Sequence, residues 1–171
     1  MEFNETMQFK QIKTPTEIER LVGLIQEIWP EVFIPIIGKE QVDYMLVDYQ
    51  GKDVIAAEIE RGVRYFFVED GGQPIGYFAY SLEEDYLYIS KVYLKKEQRG
   101  RGLSSGVFAY FEEVARNEKK GKLTLRVNRG NKQAIAVYLH RGFEIVKSVD
   151  QPLDRFFLND YVMEKKIANK G

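Results

Sequence analysis

The chain has no cysteine among its 171 residues and only one histidine, His140. The first absence excludes disulfides, thiolate metal sites and a cysteine nucleophile, and the second excludes a metal site built from several histidines. The chemistry is therefore left to hydroxyls, carboxylates, lysines and bound cofactors, and no metal is expected.

An excess of one charge is also missing, because 25 Lys and Arg stand against 26 Asp and Glu, for a net charge of -1. Phosphate backbones select basic surfaces, so nucleic acid is not an expected partner. No apolar run approaches the roughly 18 residues that cross a bilayer, and the first residues lack the basic start of a secretory signal. We therefore expect a cytoplasmic protein that does not bind a membrane.

Hydrophobic residues make up 44% of the chain and charged residues 30%, which is typical of a globular protein with one sizeable core. The sequence contains no internal repeat, low-complexity tract or long Gly/Ser/Pro linker. Residues 1–171 are therefore predicted to form a single domain.

The period of the hydrophobic pattern changes along the chain between strand-like and helix-like spacing. The first helix is expected to begin at Thr14-Pro15 and to end at Trp29-Pro30, with residues 32–35 forming a loop that lines a cleft. The remaining patterns predict helices at 40–49 and 53–61, a helix that begins near Leu103 and is stopped by Gly121, and a helix that is capped by Asn131 and runs through Leu139. They predict strands at 7–12, 63–69, 74–82, 86–94, 123–127, 143–149 and 156–165. The order βαα(α)βββαβαββ predicts a mixed α/β (α+β) fold, with a mostly antiparallel central sheet of about seven strands and one parallel crossover.

A glycine-rich segment lies between the predicted strand at 86–94 and the next helix. Backbone amides at a helix start, freed from Cβ restrictions by Gly100 and Gly102, form a concavity for an anion, and Arg99 and Arg101 supply cations. A plain strand-to-helix turn with solvated arginines is the alternative. A P-loop is excluded because Leu103 stands where Lys is required, and no acidic residue ends the next strand as a dinucleotide-binding fingerprint requires.

Two motifs together resemble the GNAT superfamily of acetyl-CoA-dependent N-acetyltransferases. The first is Arg99-x-x-Gly102-x-Ser104, which departs from the superfamily pattern by carrying Ser at its last position. The second is Asn131-x-x-Ala134-x-x-x-Tyr138-x-x-x-Gly142-Phe143. The order of elements along the whole chain is also similar to the GNAT fold. Short segments at 44–46, 90–93 and 160–165 resemble the PaiA-type branch, which is associated with polyamine and diamine acetylation.

The resemblance implies a binding site for acetyl-CoA as cosubstrate. Backbone groups of Val92 and Leu94, on either side of Tyr93, would bond the pantetheine arm like an added strand, and Asn131 would hold the arm from the other side. Lys132 or Arg129 would reach an outer phosphate. The residues expected at the pyrophosphate are Arg99, Gly100, Arg101, Gly102, Leu103 and Ser104.

Acetyl transfer to an amine needs a proton donor for the departing thiolate and a base for the ammonium. Tyr138 is the candidate general acid, since its ordinary pKa of about 10 lies near that of a thiol. A helix tyrosine that only packs against the sheet is the alternative. Glu84 or Asp85, acting through water, is the candidate base, although an acidic run in a hairpin turn is usually only solvated.

Three further side chains are candidates for binding the acceptor. Asp160 would bind a cationic group, and Trp29 and Phe33 would line the pocket, although buried aromatics more often belong to a core.

These features predict direct acetyl transfer from acetyl-CoA to a primary amine, with a polyamine or diamine preferred. A peptide or protein N-terminus, an aminoglycoside, a non-catalytic acyl-CoA sensor and a dinucleotide-binding protein stay open as alternatives. A homodimer through the closing strands also stays open.

Overall fold

The computed structural model describes residues 7–168, which form seven strands, five α-helices and one short 3-10 helix. The helices are α1 (Pro15–Ile37), α2 (Lys39–Asp48), α3 (Lys52–Glu60), α4 (Ser104–Asn117) and α5 (Lys132–His140). The strands are β1 (Met7–Gln11), β2 (Arg64–Asp70), β3 (Gln73–Leu82), β4 (Tyr86–Leu94), β5 (Lys122–Asn128), β6 (Glu144–Leu153) and β7 (Phe156–Lys166).

The strands form one sheet in the order β1-β2-β3-β4-β5-β7-β6. β1 with β2, β2 with β3, β5 with β7 and β6 with β7 are antiparallel pairs, whereas β4 and β5 are parallel. The parallel pair is connected through α4, as expected for parallel neighbours that need a crossover. The predicted mixed α/β class, with a mostly antiparallel sheet flanked by helices, is confirmed.

The chain divides into two compact units, and the single-domain assignment stays a prediction. The first unit contains residues 7–81 and 91–108. Its helices α2 and α3 both contact α1. Its core is rich in aromatic and aliphatic side chains that are almost completely buried, including Leu21, Ile25, Ile28, Ile55, Tyr65, Phe67, Tyr77 and Phe78.

Helix α1 corrects the prediction that a helix ends at Trp29-Pro30 and that a loop follows at 32–35. It continues through both Pro30 and Pro35 to Ile37. An interior proline costs about 3 kcal/mol, because it removes an N–H donor and crowds the preceding turn. Burying Trp29 and Phe33 on one face of the continued helix returns about 1.5–3 kcal/mol for each side chain. Packing along this face therefore offsets the local cost.

The second unit contains residues 82–90 and 109–168 of the described chain. In it, β5 presents Leu123, Leu125 and Val127 as buried alternate residues, while Arg126 and Asn128 are only half-buried. The strand β6 lies at the edge of the sheet, and most of its residues are exposed. The second unit thus has an apolar sheet face and a polar one.

Candidate active site

The segment of β4 from Val92 to Leu94, predicted to bind the pantetheine arm, is half-buried in the first unit. Gly76 on β3 lies directly against it. A Cβ at Gly76 would come within 2.7 Å of Leu94 Cδ2 and would overlap the carbonyl oxygen of Tyr93. The position of this segment therefore requires a residue without a side chain at 76. The sequence analysis missed Gly76, because its pattern does not differ from that of an ordinary strand.

The loop before α4 has the shape of an anion-binding turn. Gly100 and Gly102 adopt left-handed backbone conformations, with φ of 77° and 75°. Within residues 7–168, the amides of residues 100–103 donate to no backbone carbonyl. Four such amides before a helix of 14 residues match the needs of a pyrophosphate, because the N–H groups and the helix dipole both favour negative charge.

Arg101 and Arg99 have different surroundings. Arg101 is exposed, and its guanidinium donates to the neutral amide oxygen of Gln98. Arg99 instead donates through both terminal nitrogens to the carboxylate of Glu31 on α1, and through Nε to the carbonyl oxygen of Leu94 at 3.1 Å. Arg99 therefore ties the loop to α1 and β4, whereas Arg101 keeps its charge available for a ligand.

We expect Glu31→Gln to weaken coenzyme A binding by about 3- to 10-fold, because the loop loses a bidentate anchor. The hydrogen bond and the charge of Arg99 hold the pKa of Glu31 below its ordinary value. This ion pair therefore contributes above the ordinary pKa of a glutamate and is lost as the pH falls through the lowered one.

Isothermal titration calorimetry with coenzyme A at neutral and acidic pH would measure this effect. Glu27→Gln is the control, because Glu27 lies one turn earlier on α1 and makes a single ion-pair contact with Lys95, at 3.3 Å, without holding Arg99. Equal affinities for the two variants would show that Arg99 does not need Glu31 to position the loop.

Trp29 and Phe33, predicted to line the acceptor pocket, form an aromatic cluster with Tyr93 and Tyr77. Trp29 and Phe33 are only 4% and 8% exposed, and their ring centroids lie 6.3 and 5.9 Å from that of Tyr93. Burial raises the pKa of Tyr77, although the neighbouring indole of Trp29 acts in the opposite direction. Within the described chain, the Trp29 Nε1 and Tyr77 hydroxyl lack a partner at full hydrogen-bond geometry. Their role in binding an acceptor stays a prediction.

A buried polar network next to Val92 was missed by the sequence analysis. The Lys91 ammonium donates to the Tyr65 hydroxyl at 2.7 Å, and this hydroxyl donates to Glu58 Oε1 at 2.6 Å. Lys91 and Glu58 also form an ion pair at 3.6 Å. Burial lowers the pKa of Lys91, while the charge and hydrogen bond of Glu58 oppose this change. A lysine is rarely buried unless it is paired, and the partners of Lys91 lie on other elements, so the sequence analysis did not find this network.

In the second unit, Asn131 caps α5 as predicted, accepting a hydrogen bond from the Ala134 amide at 3.3 Å. Tyr138 lies on the same helix and contacts Phe143, with 5.8 Å between ring centroids. Desolvation raises the pKa of Tyr138 to about 12, although the residue as a whole is half-buried. The hydroxyl therefore stays protonated at neutral pH. Lys132 is exposed at the start of α5.

Glu84 and Asp85, the predicted bases, lie in the exposed turn before β4. The backbone carbonyls of this turn are held, since Lys120 Nζ donates to the Glu84 oxygen and the Gly121 amide donates to the Asp85 oxygen. Both side chains face solvent, so any proton transfer from an amine would have to pass through water.

Asp160, predicted to bind a cationic acceptor, is buried and already paired. Its Oδ2 accepts from Arg126 Nε at 3.1 Å. Burial raises its pKa, and the charges of Arg126 and Arg129 oppose that rise. Because an arginine already compensates its charge, Asp160 is a weak candidate for binding a second cation.

The sequence profile of the acetyltransferase (GNAT) family matches residues 22–143, and the chain belongs to this family. The protein is an acetyl-CoA-dependent N-acetyltransferase, with acetyl-CoA as its cosubstrate.

Three similar proteins are named as N-acetyltransferases. An uncharacterized N-acetyltransferase in the pepI 3' region of Lactobacillus delbrueckii subsp. lactis is 24% identical over 135 residues, which cover 74% of this chain and 78% of that one. The PaiA N-acetyltransferase from Thermoplasma acidophilum, solved with coenzyme A, is similar with a TM-score of 0.79 and 18% identity, over 94% of this chain and 98% of the other. The ribosomal-protein-S18-alanine N-acetyltransferase from Escherichia coli is similar with a TM-score of 0.72 and 14% identity, over 96% of both chains.

None of the helices within residues 7–168 is both long and apolar enough to span a membrane. The same part of the chain has no group of three or more His, Cys, Asp or Glu side chains arranged to hold a metal ion.

Proposed function

We propose that this enzyme transfers the acetyl group directly from acetyl-CoA to a primary amine of a small molecule, within a ternary complex. The observation that carries the proposal is the row of four open amides at residues 100–103, in a chain of the acetyltransferase (GNAT) family. The absence of cysteine supports direct transfer, because a chain without cysteine cannot form an acetyl-thiol intermediate.

Different residues would bind different parts of acetyl-CoA. The loop amides and Arg101 would hold the pyrophosphate, with Arg99 positioning the loop through Glu31. Val92 and Leu94 would bond the pantetheine arm along β4, where a nearby backbone N–H would polarise the acetyl carbonyl. By the resemblance to the GNAT motifs, Asn131 would also bond the arm, and Lys132 or Arg129 would reach an outer phosphate.

Proton transfer would use two groups. Tyr138 would donate a proton to the departing thiolate. Its raised pKa weakens it as an acid, but desolvation would also raise the pKa of a thiol in the same surroundings, so the two pKa values would stay close to each other. Glu84 or Asp85 would receive the proton of the ammonium through water.

The acceptor class is the finer part of the proposal. The resemblance of segments 44–46, 90–93 and 160–165 to the PaiA-type branch favours a diamine or polyamine. The second candidate is the N-terminus of a peptide or protein, which the name of the similar Escherichia coli enzyme supports. A non-catalytic acyl-CoA sensor is the alternative from another class.

A thiol-release assay would test the proposal. Acetyl-CoA is offered with spermidine, a diamine, an alkylamine and a panel of short peptides, and free coenzyme A thiol is followed with time. We expect release that depends on a small amine. Thermal stabilisation by coenzyme A without release in the presence of any amine would identify a sensor, and release with peptides alone would identify a peptide acetyltransferase.

A further inference from the structure

Arg126 on β5 uses only part of its guanidinium. Nε donates to Asp160 Oδ2 at 3.1 Å, and Nη1 donates to Gln151 Oε1 at 3.1 Å. Nη2 is buried and has no hydrogen-bond partner among residues 7–168. A buried donor left without an acceptor is costly, so this nitrogen indicates that an acceptor group belongs at the site.

The unused side of Arg126 is the edge formed by Nη1 and Nη2. This edge binds a carboxylate with two parallel charge-assisted hydrogen bonds, which are roughly twice as strong as neutral ones. Here it holds one neutral amide, from the exposed Gln151 on the edge strand β6. A carboxylate that displaces Gln151 would replace one hydrogen bond to a neutral acceptor with two hydrogen bonds to an anionic one.

Arg126 lies at a defined place on the polar face of the second unit. The parallel ladder between β4 and β5 ends at the pair Ile89 and Leu125, so Arg126 is the next residue along β5. Its partner on β7 is Val162. The same strand leads to Asn131, the residue assigned to the pantetheine arm. Arg126 therefore belongs to the strand that leads towards the proposed site of transfer.

The charges around Arg126 favour an anion over a second ammonium group. The Asp160 carboxylate is bound to Arg126, and Asp150 is bound to Arg129 Nη2. Arg129 Nη1 also donates to the carbonyl oxygens of Val149 and Asp160. Each carboxylate in this cluster already has an arginine partner, whereas Arg126 still has an unused donor.

We propose that Arg126 binds a carboxylate of the amine acceptor, so that the enzyme favours amines that carry a carboxylate over alkylamines or diamines of equal length. This inference rests on the proposed function, because it requires an amine acceptor. It narrows the acceptor from primary amines in general to amino-acid-like molecules.

Acceptor selectivity is the direct test. An ω-amino acid, the alkylamine and the diamine of equal carbon count are compared by kcat/KM, together with an amino acid and its amide. We expect the carboxylate to raise kcat/KM at least about 10-fold, as one bidentate charged contact allows. Arg126→Lys should lose most of this preference and Arg126→Gln all of it, with the preference measured in each variant as the ratio of kcat/KM for the ω-amino acid to kcat/KM for the alkylamine. Lys122→Gln, which removes another cation of β5 from its pair with Glu164, should keep the preference.

An inhibition measurement on the unaltered enzyme keeps the inference testable if the Arg126 variants do not fold. An amine-free carboxylate of the same length should inhibit competitively against the acceptor, and its amide should not. A preference for the diamine, or a carboxylate effect unchanged in a folded Arg126→Gln variant, would overturn the inference and leave the proposed function intact. Binding of coenzyme A without thiol release in the presence of any amine would overturn the proposed function. The role of Arg126 would then be decided by a thermal-shift assay in which carboxylates compete for binding to the protein.

Discussion

Replacing Tyr138 with phenylalanine should lower kcat by about 10²- to 10⁴-fold, the usual contribution of a positioned general acid. The affinity for coenzyme A should change little, because the ring and its contact with Phe143 remain. The pKa of about 12 means that the hydroxyl stays protonated over any practical assay range. The pH profile of kcat in the unaltered enzyme should therefore show no loss from Tyr138 below about pH 10.

Steady-state kinetics and calorimetry with coenzyme A, on the variant and the unaltered enzyme, would measure the two effects separately. Tyr110→Phe is the matched control, since it removes a hydroxyl from another half-buried helix tyrosine of the same unit. Similar kcat values for Tyr138→Phe and the control would remove Tyr138 from the mechanism. A loss of coenzyme A affinity that accounts for the whole loss in activity would make it a binding residue.

Replacing Glu58 with alanine should lower the free energy of unfolding by about 2–4 kcal/mol, because the change leaves the Lys91 ammonium buried without its counter-ion. This loss lies toward the lower end of the range that is usual for breaking a buried ion pair, because the Glu58 side chain is 22% exposed. Asp43→Ala is the matched control. It breaks the exposed pair between Lys39 and Asp43, for which the loss should be below about 1 kcal/mol.

The loss in Glu58→Ala should depend on pH. Without Glu58, burial is the one strong influence on the pKa of Lys91. This pKa therefore falls further below the pKa that the lysine has in the unfolded chain. Between these two pKa values the unfolded state binds more protons, and stability rises with pH. The deficit should therefore be smaller at about pH 9.5 than at neutral pH.

Denaturant unfolding at both pH values would measure this deficit. In the double variant Glu58→Ala with Lys91→Met, part of the stability should return, because no unpaired charge is left. Equal losses for Glu58→Ala and Asp43→Ala would show that the buried pair contributes no more than a surface pair.

Most of the fold follows from local patterns. The strands β2, β3 and β4 lie within a residue or so of their predicted bounds, because alternating apolar residues and the turn at Gly71-Gly72 are local features. The Asn131 cap and the glycine loop could be predicted for the same reason. The end of helix α1 could not be predicted in this way, because the contacts that stabilise the helix beyond Pro30 are made with residues outside it.

The candidate site was only partly predictable. The loop at residues 100–103 is visible as a pattern of glycines, and its open amides follow from the backbone they adopt. The partners of its arginines are not visible in that pattern. Arg99 would pass for a phosphate ligand, yet its guanidinium is bound to Glu31, which precedes it by 68 positions.

The sequence by itself determined the order of elements, the glycine loop before α4 and, through the absence of cysteine, that no acetyl-thiol intermediate forms on the enzyme. These depend on residue type and on near neighbours. Only the tertiary structure decided which charges are paired. Lys91 meets Tyr65 across 26 positions and Arg126 meets Asp160 across 34, and no local period relates such residues. Whether a lysine is buried, or an arginine keeps a free edge for a ligand, depends on which strands and helices the fold brings beside it.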